Sequence, residues 1–274
     1  MVVRAHAESA MRLGLLRASS AQREVEEALA VFVGEDANRS AAVTTLKGPR
    51  IRAAIGASVV RPGASLLKLP LAAAVHGAAR AGELDLVTTV AREELPATVF
   101  PTVLAAFAPG RRLTIAELCS LCLIVSDNPA ADYLLGLVGF NAVNRAAVEL
   151  GARSTVMKVG FGDDFLGEAG LGNVTTAADA LVMMRTLVVE PQHRDIAVAL
   201  ENNLSNVRIP LRLDHVRAPH KSGSLRGVAN DAGVLFGRRA TVAVAFLSEQ
   251  QLDSVAASLS IGACVARIWR ALGE

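Results

Sequence analysis

Arg61-Pro62-Gly63-Ala64-Ser65-Leu66-Leu67-Lys68-Leu69-Pro70-Leu71-Ala72-Ala73-Ala74-Val75 is the stretch from which the rest of the chain can be read. A Pro-Gly turn followed by an apolar run reads as a loop entering a buried helix, and residues three apart on a helix share a face. Ser65 and Lys68 are therefore expected side by side at the helix mouth. Free backbone N–H groups and the helix dipole favour negative charge there, so a serine in this place could attack a carbonyl and find donors for the oxyanion that forms. Serine needs a base. Lysine serves when burial depresses its pKa, whereas arginine keeps its proton. Of 28 basic residues only Lys47, Lys68, Lys158 and Lys221 are lysines, which sets Lys68 apart from the ordinary charge of this chain. The plainer reading of the same residues is an N-cap serine and a surface lysine. Pro70 breaks a local rule, since inside a helix it removes a hydrogen bond and crowds the carbonyl of Leu66, and broken rules tend to mark functional sites.

At 274 residues the chain is long enough for a substantial core. With 52% hydrophobic residues and only 4% aromatics, that core is built from Ala, Leu and Val. A net charge of +2, without a basic stripe and interleaved aromatics, argues against nucleic acid as a partner. No run approaches the length of a membrane span, so no membrane association is expected. Charges at Arg4, Glu8, Arg12, Arg17, Arg23, Glu24, Glu26 and Glu27 leave no apolar segment for a secretory signal. The expected location is cytoplasmic, although a secreted chain already trimmed of its leader would read the same way. Cys119, Cys122 and Cys264 are an odd set; Cys119-Ser-Leu-Cys122 has redox spacing but lies in an apolar helical pattern, so buried core thiols are expected.

In chain order, residues 21–33 read as a helix running into a possible strand. Ala41–Leu46 and Ile51–Ile55 read as strands around a Lys47-Gly48-Pro49 turn. From Ser65 to about Leu200 the pattern is helical. Thr114-Ile-Ala-Glu117 and Thr176-Ala-Ala-Asp179 have capping-box spacing and open helices to about Val125 and Val189. Gly160 to Gly172 is a glycine-punctuated loop with three carboxylates. Strands return around Arg217–Ser224, Gly227–Phe236 and Ala240–Ser248, and Leu252–Leu272 forms a last amphipathic helix. The expected fold is α/β in the α+β sense, with an antiparallel sheet built from both chain ends, flanked by helices, and a large helical insertion. The expected organisation is one domain over 1–274, with an α/β lobe over about 20–62 and 205–274 and a helical lobe over about 63–204.

Three motifs follow in order: Ser65-x-x-Lys68, Ser126-Asp127-Asn128 at the end of the helix opened by Thr114, and Lys221-Ser222-Gly223 on an expected strand. This ordered set resembles that of class A β-lactamases and penicillin-binding proteins. Leu113–Ser120 leading into Ser126–Asp132, and Asn141–Gly151 after it, look like the corresponding helices of class A enzymes, and the resemblance runs from about residue 20 to the end. Tyr133 is followed by two leucines, unlike the Tyr-x-Asn of related serine hydrolases, and is expected in the core.

The resemblance implies Ser65 as the acylated nucleophile and Lys68 as its base or proton relay. Ser126 would pass a proton to the leaving nitrogen, and Asn128 would hold the side-chain amide of the substrate. Lys221 would add positive potential near the substrate carboxylate, Ser222 would hydrogen-bond it, and Gly223 completes the motif. The backbone N–H groups of Ser65 and Ser224 would form the oxyanion hole. Asp127 is expected to be structural, and His220 to be a strand residue with an ordinary partner.

Class A β-lactamases deacylate with a loop glutamate followed after two residues by asparagine. Here the loop holds Asp163, Asp164 and Glu168, with Asn173 five residues beyond Glu168. Glu168 is the candidate base; Asp163 or Asp164, or no deacylating carboxylate, remain open. No secure arginine for the substrate carboxylate is visible, Arg226 being close to Lys221 in sequence. The expected function is a serine hydrolase opening the β-lactam ring through an acyl-serine. A cytoplasmic esterase or peptidase of the same superfamily is the alternative, as is a penicillin-binding-like protein that acylates without efficient deacylation. The expected partner is a small β-lactam or related amide or ester, with no metal or organic cofactor, and the chain is expected to be a monomer with a dimer left open.

Overall fold

The computed structural model describes residues 20–34, 36–162 and 172–274. Five antiparallel strands form the main sheet: β1 (Arg39–Lys47), β2 (Arg52–Ile55), and, in the last third of the chain, β7 (His220–Leu225), β8 (Val228–Phe236) and β9 (Thr241–Ser248). Their order is β2-β1-β9-β8-β7, so strands from both chain ends meet in the middle and β7 is an edge. The sheet joins its ends as the sequence implies.

Period-2 alternation sends the two faces of this sheet to two cores. Ala41, Val43, Val242, Val244 and Phe246 face a core shared with α1 (20–33) and α7 (Ser254–Ala271). Ala42, Ala232, Ala245 and Leu247 face the second core, with α5 (Ala177–Val189) against the strands. The acidic helix at the start runs to residue 33 without turning into a strand.

The second core is helical. Its centre is α2 (Lys68–Arg80), whose first eight residues are all buried, as expected of a helix that is apolar on every side. It packs on α4 (Asn128–Glu149) and α3 (Ile115–Ile124), with α6 (Arg194–Glu201) outside α3 and α5. At Gly139, φ is +75° inside α4 and breaks its axis, a conformation that favours glycine. Pro70 fits without harm because it lies in the first turn of α2, where a helix has no internal use for the N–H.

Both expected caps form, in different ways. Thr114 accepts from the Glu117 N–H, and the Glu117 carboxylate returns to the Thr114 N–H at 2.7 Å, a full capping box. Thr176 accepts from the Asp179 N–H, but Asp179 turns its carboxylate to the Ser154 N–H and the Thr155 hydroxyl. Two short ribbons lay beyond sequence reading: β3 (Arg61–Pro62) with β6 (Val174–Thr175), and β4 (Thr89–Ala91) with β5 (Arg112–Thr114).

Arg61 ties β3 to the main sheet. It is 2% exposed; its Nε donates to Ser40 Oγ at 2.7 Å, Nη2 donates to the Ala37 carbonyl at 2.6 Å, and Nη1 pairs with Glu249. Arg61→Met, which leaves these acceptors unmet, is expected to lower the unfolding free energy by about 2–4 kcal/mol in urea denaturation. A loss under about 1 kcal/mol would contradict this role.

Candidate active site

Two glycines allow the site to assemble. Ser65 lies in a 3-10 turn, Ala64–Leu67, that runs directly into α2 at Lys68, so it precedes the α-helix where the sequence suggests one continuous helix. A Cβ on Gly63 would stand 2.0 Å from Leu67 Cδ2 inside this turn. A Cβ on Gly223 would stand 3.1 Å from the Gly63 carbonyl oxygen and 3.2 Å from Ser65 N, so glycine lets β7 lie this close to the serine turn without pressing on its backbone. Asn230 Nδ2 donates to the Pro62 carbonyl at 2.8 Å, and the Gly63 N–H donates to the Asn173 carbonyl at 2.9 Å, pinning the turn from both sides. Ala64 is at φ +48°.

Lys68 is fully buried. Its Nζ donates to the Ser126 carbonyl at 2.6 Å, to Ser126 Oγ at 3.1 Å and to Asn128 Oδ1 at 2.7 Å. Ser126 is at φ +59°, a left-handed conformation that is costly for a serine and typical of functional turns. The next residue, Asp127, caps α4 by accepting from the Ala130 N–H at 3.0 Å and also accepts from the Thr102 hydroxyl, as expected of a structural carboxylate. Burial pulls the Lys68 ammonium down to about 8, while Cys122, Asp127 and Asp132 pull the other way.

Lys221 is also fully buried, its Nζ donating to the Ser222 carbonyl at 2.9 Å. Burial is the main cause that brings it down to about 7, and the positive charge of Lys68 adds to this. A cleft of about 630 Å³ opens over this region, bordered by Ser65, Ser126, Asn128, Ser222, Ser224 and Arg226. The three motifs therefore converge: Ser65, Ser126, Asn128, Ser222 and Ser224 border one space, with Lys68 and Lys221 beneath it and Gly223 in the strand wall. Glu168, Asp163 and Asp164 lie outside the described residues. Asn173, beyond them in the chain, does a structural job, accepting from the Lys158 N–H at 2.8 Å and donating to the Val159 carbonyl at 3.0 Å.

Three side chains near the site were not read from the sequence. Arg208 is buried and donates to the Gly223 and Asn230 carbonyls at 3.0 and 2.7 Å and to Ser224 Oγ at 2.7 Å, bracing the end of β7. No local pattern distinguishes it from other arginines, and it sits at Ser224 where Arg226 is exposed at the rim. Phe161 lies with its ring centroid 4.7 Å from Lys68 Nζ, and Asp132 accepts from the Phe161 N–H at 2.6 Å. The one available signal was the four-residue spacing from Asn128 to Asp132.

Other residues do what their types suggest. His220 pairs through Nδ1 with buried Asp231 at 3.1 Å. Cys119, Cys122 and Cys264 are buried free thiols, and burial pushes Cys122 up to about 11 and Cys264 to about 12. Tyr133 packs half-buried against the helical core. Among the described residues, no helix is long and apolar enough to cross a membrane, and no group of three His, Cys, Asp or Glu side chains could hold a metal ion.

The beta-lactamase enzyme family matches residues 22–272. Over 243 residues the chain is 27% identical to the D-alanyl-D-alanine carboxypeptidase DacB2 of Mycobacterium tuberculosis, covering 82% of this chain and 80% of that protein. Among solved structures, the beta-lactamase of Sphaerobacter thermophilus superposes with a TM-score of 0.79 at 25% identity, covering 92% of this chain and 97% of that one. An ancestral class A beta-lactamase gives 0.78 at 25% identity, covering 90% and 99%. PBP-A, at 0.77 and 20% identity, covering 92% and 96%, shares the fold.

Both buried amines hold their protons less tightly in the fold than in the unfolded chain, where the usual value near 10.5 applies. The unfolded chain therefore binds more protons from about pH 7 upward, and stability rises with pH until the raised thiols, ionising in the unfolded chain near 9, oppose it. The unfolding free energy is expected to rise between about pH 7 and 8.5, with a slope of at most about 1.4 kcal/mol per pH unit for each lysine. Lys68→Met combined with Lys221→Met should flatten it in denaturation series; parallel slopes would contradict the burial of the amines.

Proposed function

The chain belongs to the beta-lactamase enzyme family, and we propose that it is a serine hydrolase that opens the β-lactam ring through an acyl-Ser65 intermediate. The observation that carries this reading is the buried Lys68 amine, hydrogen-bonded to Ser126 and Asn128 under the cleft that Ser65 borders. With its pKa near 8, about a tenth of Lys68 is neutral at pH 7. The neutral amine has a lone pair and can accept a proton.

In the acylation step Ser65 Oγ bonds to the lactam carbonyl carbon as its proton passes to Lys68 Nζ. The carbonyl oxygen becomes an oxyanion that accepts from the Ser65 and Ser224 N–H groups; one such donor is typically worth about 10²–10³ in rate. The carbon–nitrogen bond then breaks. Ser126 Oγ gives its proton to the departing nitrogen and takes one from Lys68, 3.1 Å away. Asn128 would hold the side-chain amide of the substrate. Ser222 and Ser224 border the cleft with the Lys221 amine bonded to the Ser222 carbonyl, and these three would receive a substrate carboxylate, with Arg208 bracing that end. Glu168 is our candidate base for the deacylating water.

One observation favours a second reading, acylation by penicillins or D-alanyl peptides with slow release. The M. tuberculosis relative is a D-alanyl-D-alanine carboxypeptidase. Intact-protein mass followed over time with a chromogenic cephalosporin separates the two: an adduct that forms and clears over many turnovers supports the first, and one that persists supports the second. Ser65→Ala should abolish the adduct, and Lys68→Arg should slow its formation by at least about 100-fold. An adduct of unchanged mass and rate on Ser65→Ala would overturn both.

A further inference from the structure

We infer that Phe161 shields the site: its ring, seated by Asp132, closes the side of Lys68 from which water would reach an acyl group on Ser65, and so sets the lifetime of that acyl-enzyme. The inference rests on the proposed acyl-Ser65 chemistry and deepens it. Phe161 borders the cleft yet is only 2% exposed, because its ring points inward over the Lys68 amine. Its position comes from its backbone. Asp132 accepts from the Phe161 N–H at 2.6 Å and also from the Gly162 N–H, and a Cβ on Gly160 would come within 2.8 Å of Asp132 Oδ1. The backbone thus wraps the carboxylate closely, and a side chain at 160 would push the Asp132 carboxylate from its place.

Asp132 lies one helical turn beyond Asn128, on the same face of α4. One helix therefore supplies both an acceptor for the Lys68 amine and the seat of the ring that covers it. Phe161 is also part of the helical core, so the cover is continuous with packed apolar side chains.

Hydrolysis of the acyl-enzyme requires a water oxygen to bond to the acyl carbonyl carbon while the ester bond to Ser65 Oγ breaks. One water proton passes to a base, of which the neutral Lys68 amine is one, and Ser65 Oγ regains a proton. A water placed between Lys68 and the ester is stabilised by hydrogen bonds, and an aromatic face offers it little. Among the described residues, three polar atoms surround the amine and the ring lies over it, so that side of the base is apolar.

The same packing keeps Lys68 dry. Among the described residues, the charged and titratable groups facing it are Cys122 from α3, Asp127 and Asp132 from the start of α4, and Lys221 from β7. A substitution at Phe161 removes none of them; it takes away the ring face over the ammonium, which lowers the proton affinity of Lys68, and admits water, whose hydration of the charge raises it by more.

The test uses Phe161→Ala and Phe161→Leu with two readouts. The first is the persistence of the benzylpenicillin adduct by intact mass after excess ligand is removed. The second is an NMR titration of the lysine 13Cε signals, of which there are only four in the chain, with Lys68 assigned by Lys68→Arg. Phe161→Ala should shorten the adduct lifetime at least about tenfold and move the Lys68 midpoint upward by about one pH unit. Phe161→Leu, which refills the space with apolar atoms, should restore both. The inference is overturned if the alanine variant matches the wild type in the Lys68 midpoint or adduct lifetime, or if leucine behaves like alanine. Should alanine prevent folding, Phe161→Val is judged by the same criteria. If the wild-type protein forms no adduct, the acyl-Ser65 reading fails by itself, and the lysine titration still decides whether Phe161 keeps the amine dry.

Discussion

A lysine ammonium held out of water is the constraint on which the rest of this molecule depends. Burying such a charge costs several kcal/mol unless polar groups meet it. The chain meets it by folding the segment after α3 into a left-handed turn at Ser126, so that one residue offers both its carbonyl and its hydroxyl to Lys68. Asp127 then caps α4, and Asn128, the first residue of that helix, supplies the third acceptor. Stability and chemistry come from the same contacts here: the amine is satisfied well enough to stay buried and is dry enough to be a base near neutral pH.

The second constraint is steric. The sheet is assembled from both ends of the chain, and its edge strand β7 must lie against the turn that carries Ser65. A side chain at 223 would press on the Gly63 carbonyl and the Ser65 backbone, 3.1 and 3.2 Å from its Cβ. With glycine there, Lys221 enters the same buried region from the opposite side, and the two like charges lower the proton affinity of Lys221 further. A cleft between sheet edge and helical core is the geometric result, with serine hydroxyls on both walls.

Much of this was legible in the sequence because the residues that carry it are chemically unusual in their surroundings. Ser65 and Lys68 stood out as polar residues at helical spacing in an apolar run, and Ser126, Asn128, Lys221 and Gly223 through the ordered motifs that resemble those of class A β-lactamases and penicillin-binding proteins. The strands of the sheet alternate, and Thr114 to Glu117 spells its cap. Other features left no local mark. Two- and three-residue strands such as β3 and β6 have no period to detect. The route of Asp179 to Ser154 and Thr155, rather than back to its own cap, is a tertiary contact. Phe161 reaches Lys68, and Arg208 reaches Gly223, only after long returns of the chain. Pro70 was legible as an oddity but not as a harmless one, because its safety depends on where α2 begins.

The central claim is that the turn at Ser65 and the edge of β7 form one oxyanion site served by a buried lysine. A crystal structure with a boronic acid, which mimics the tetrahedral intermediate, tests it most directly. The account predicts boron bonded to Ser65 Oγ, with one boronate oxygen within about 3 Å of both the Ser65 and Ser224 N–H groups. Boron absent from Ser65, or an oxygen turned away from both donors while Ser65 is modified, would contradict it.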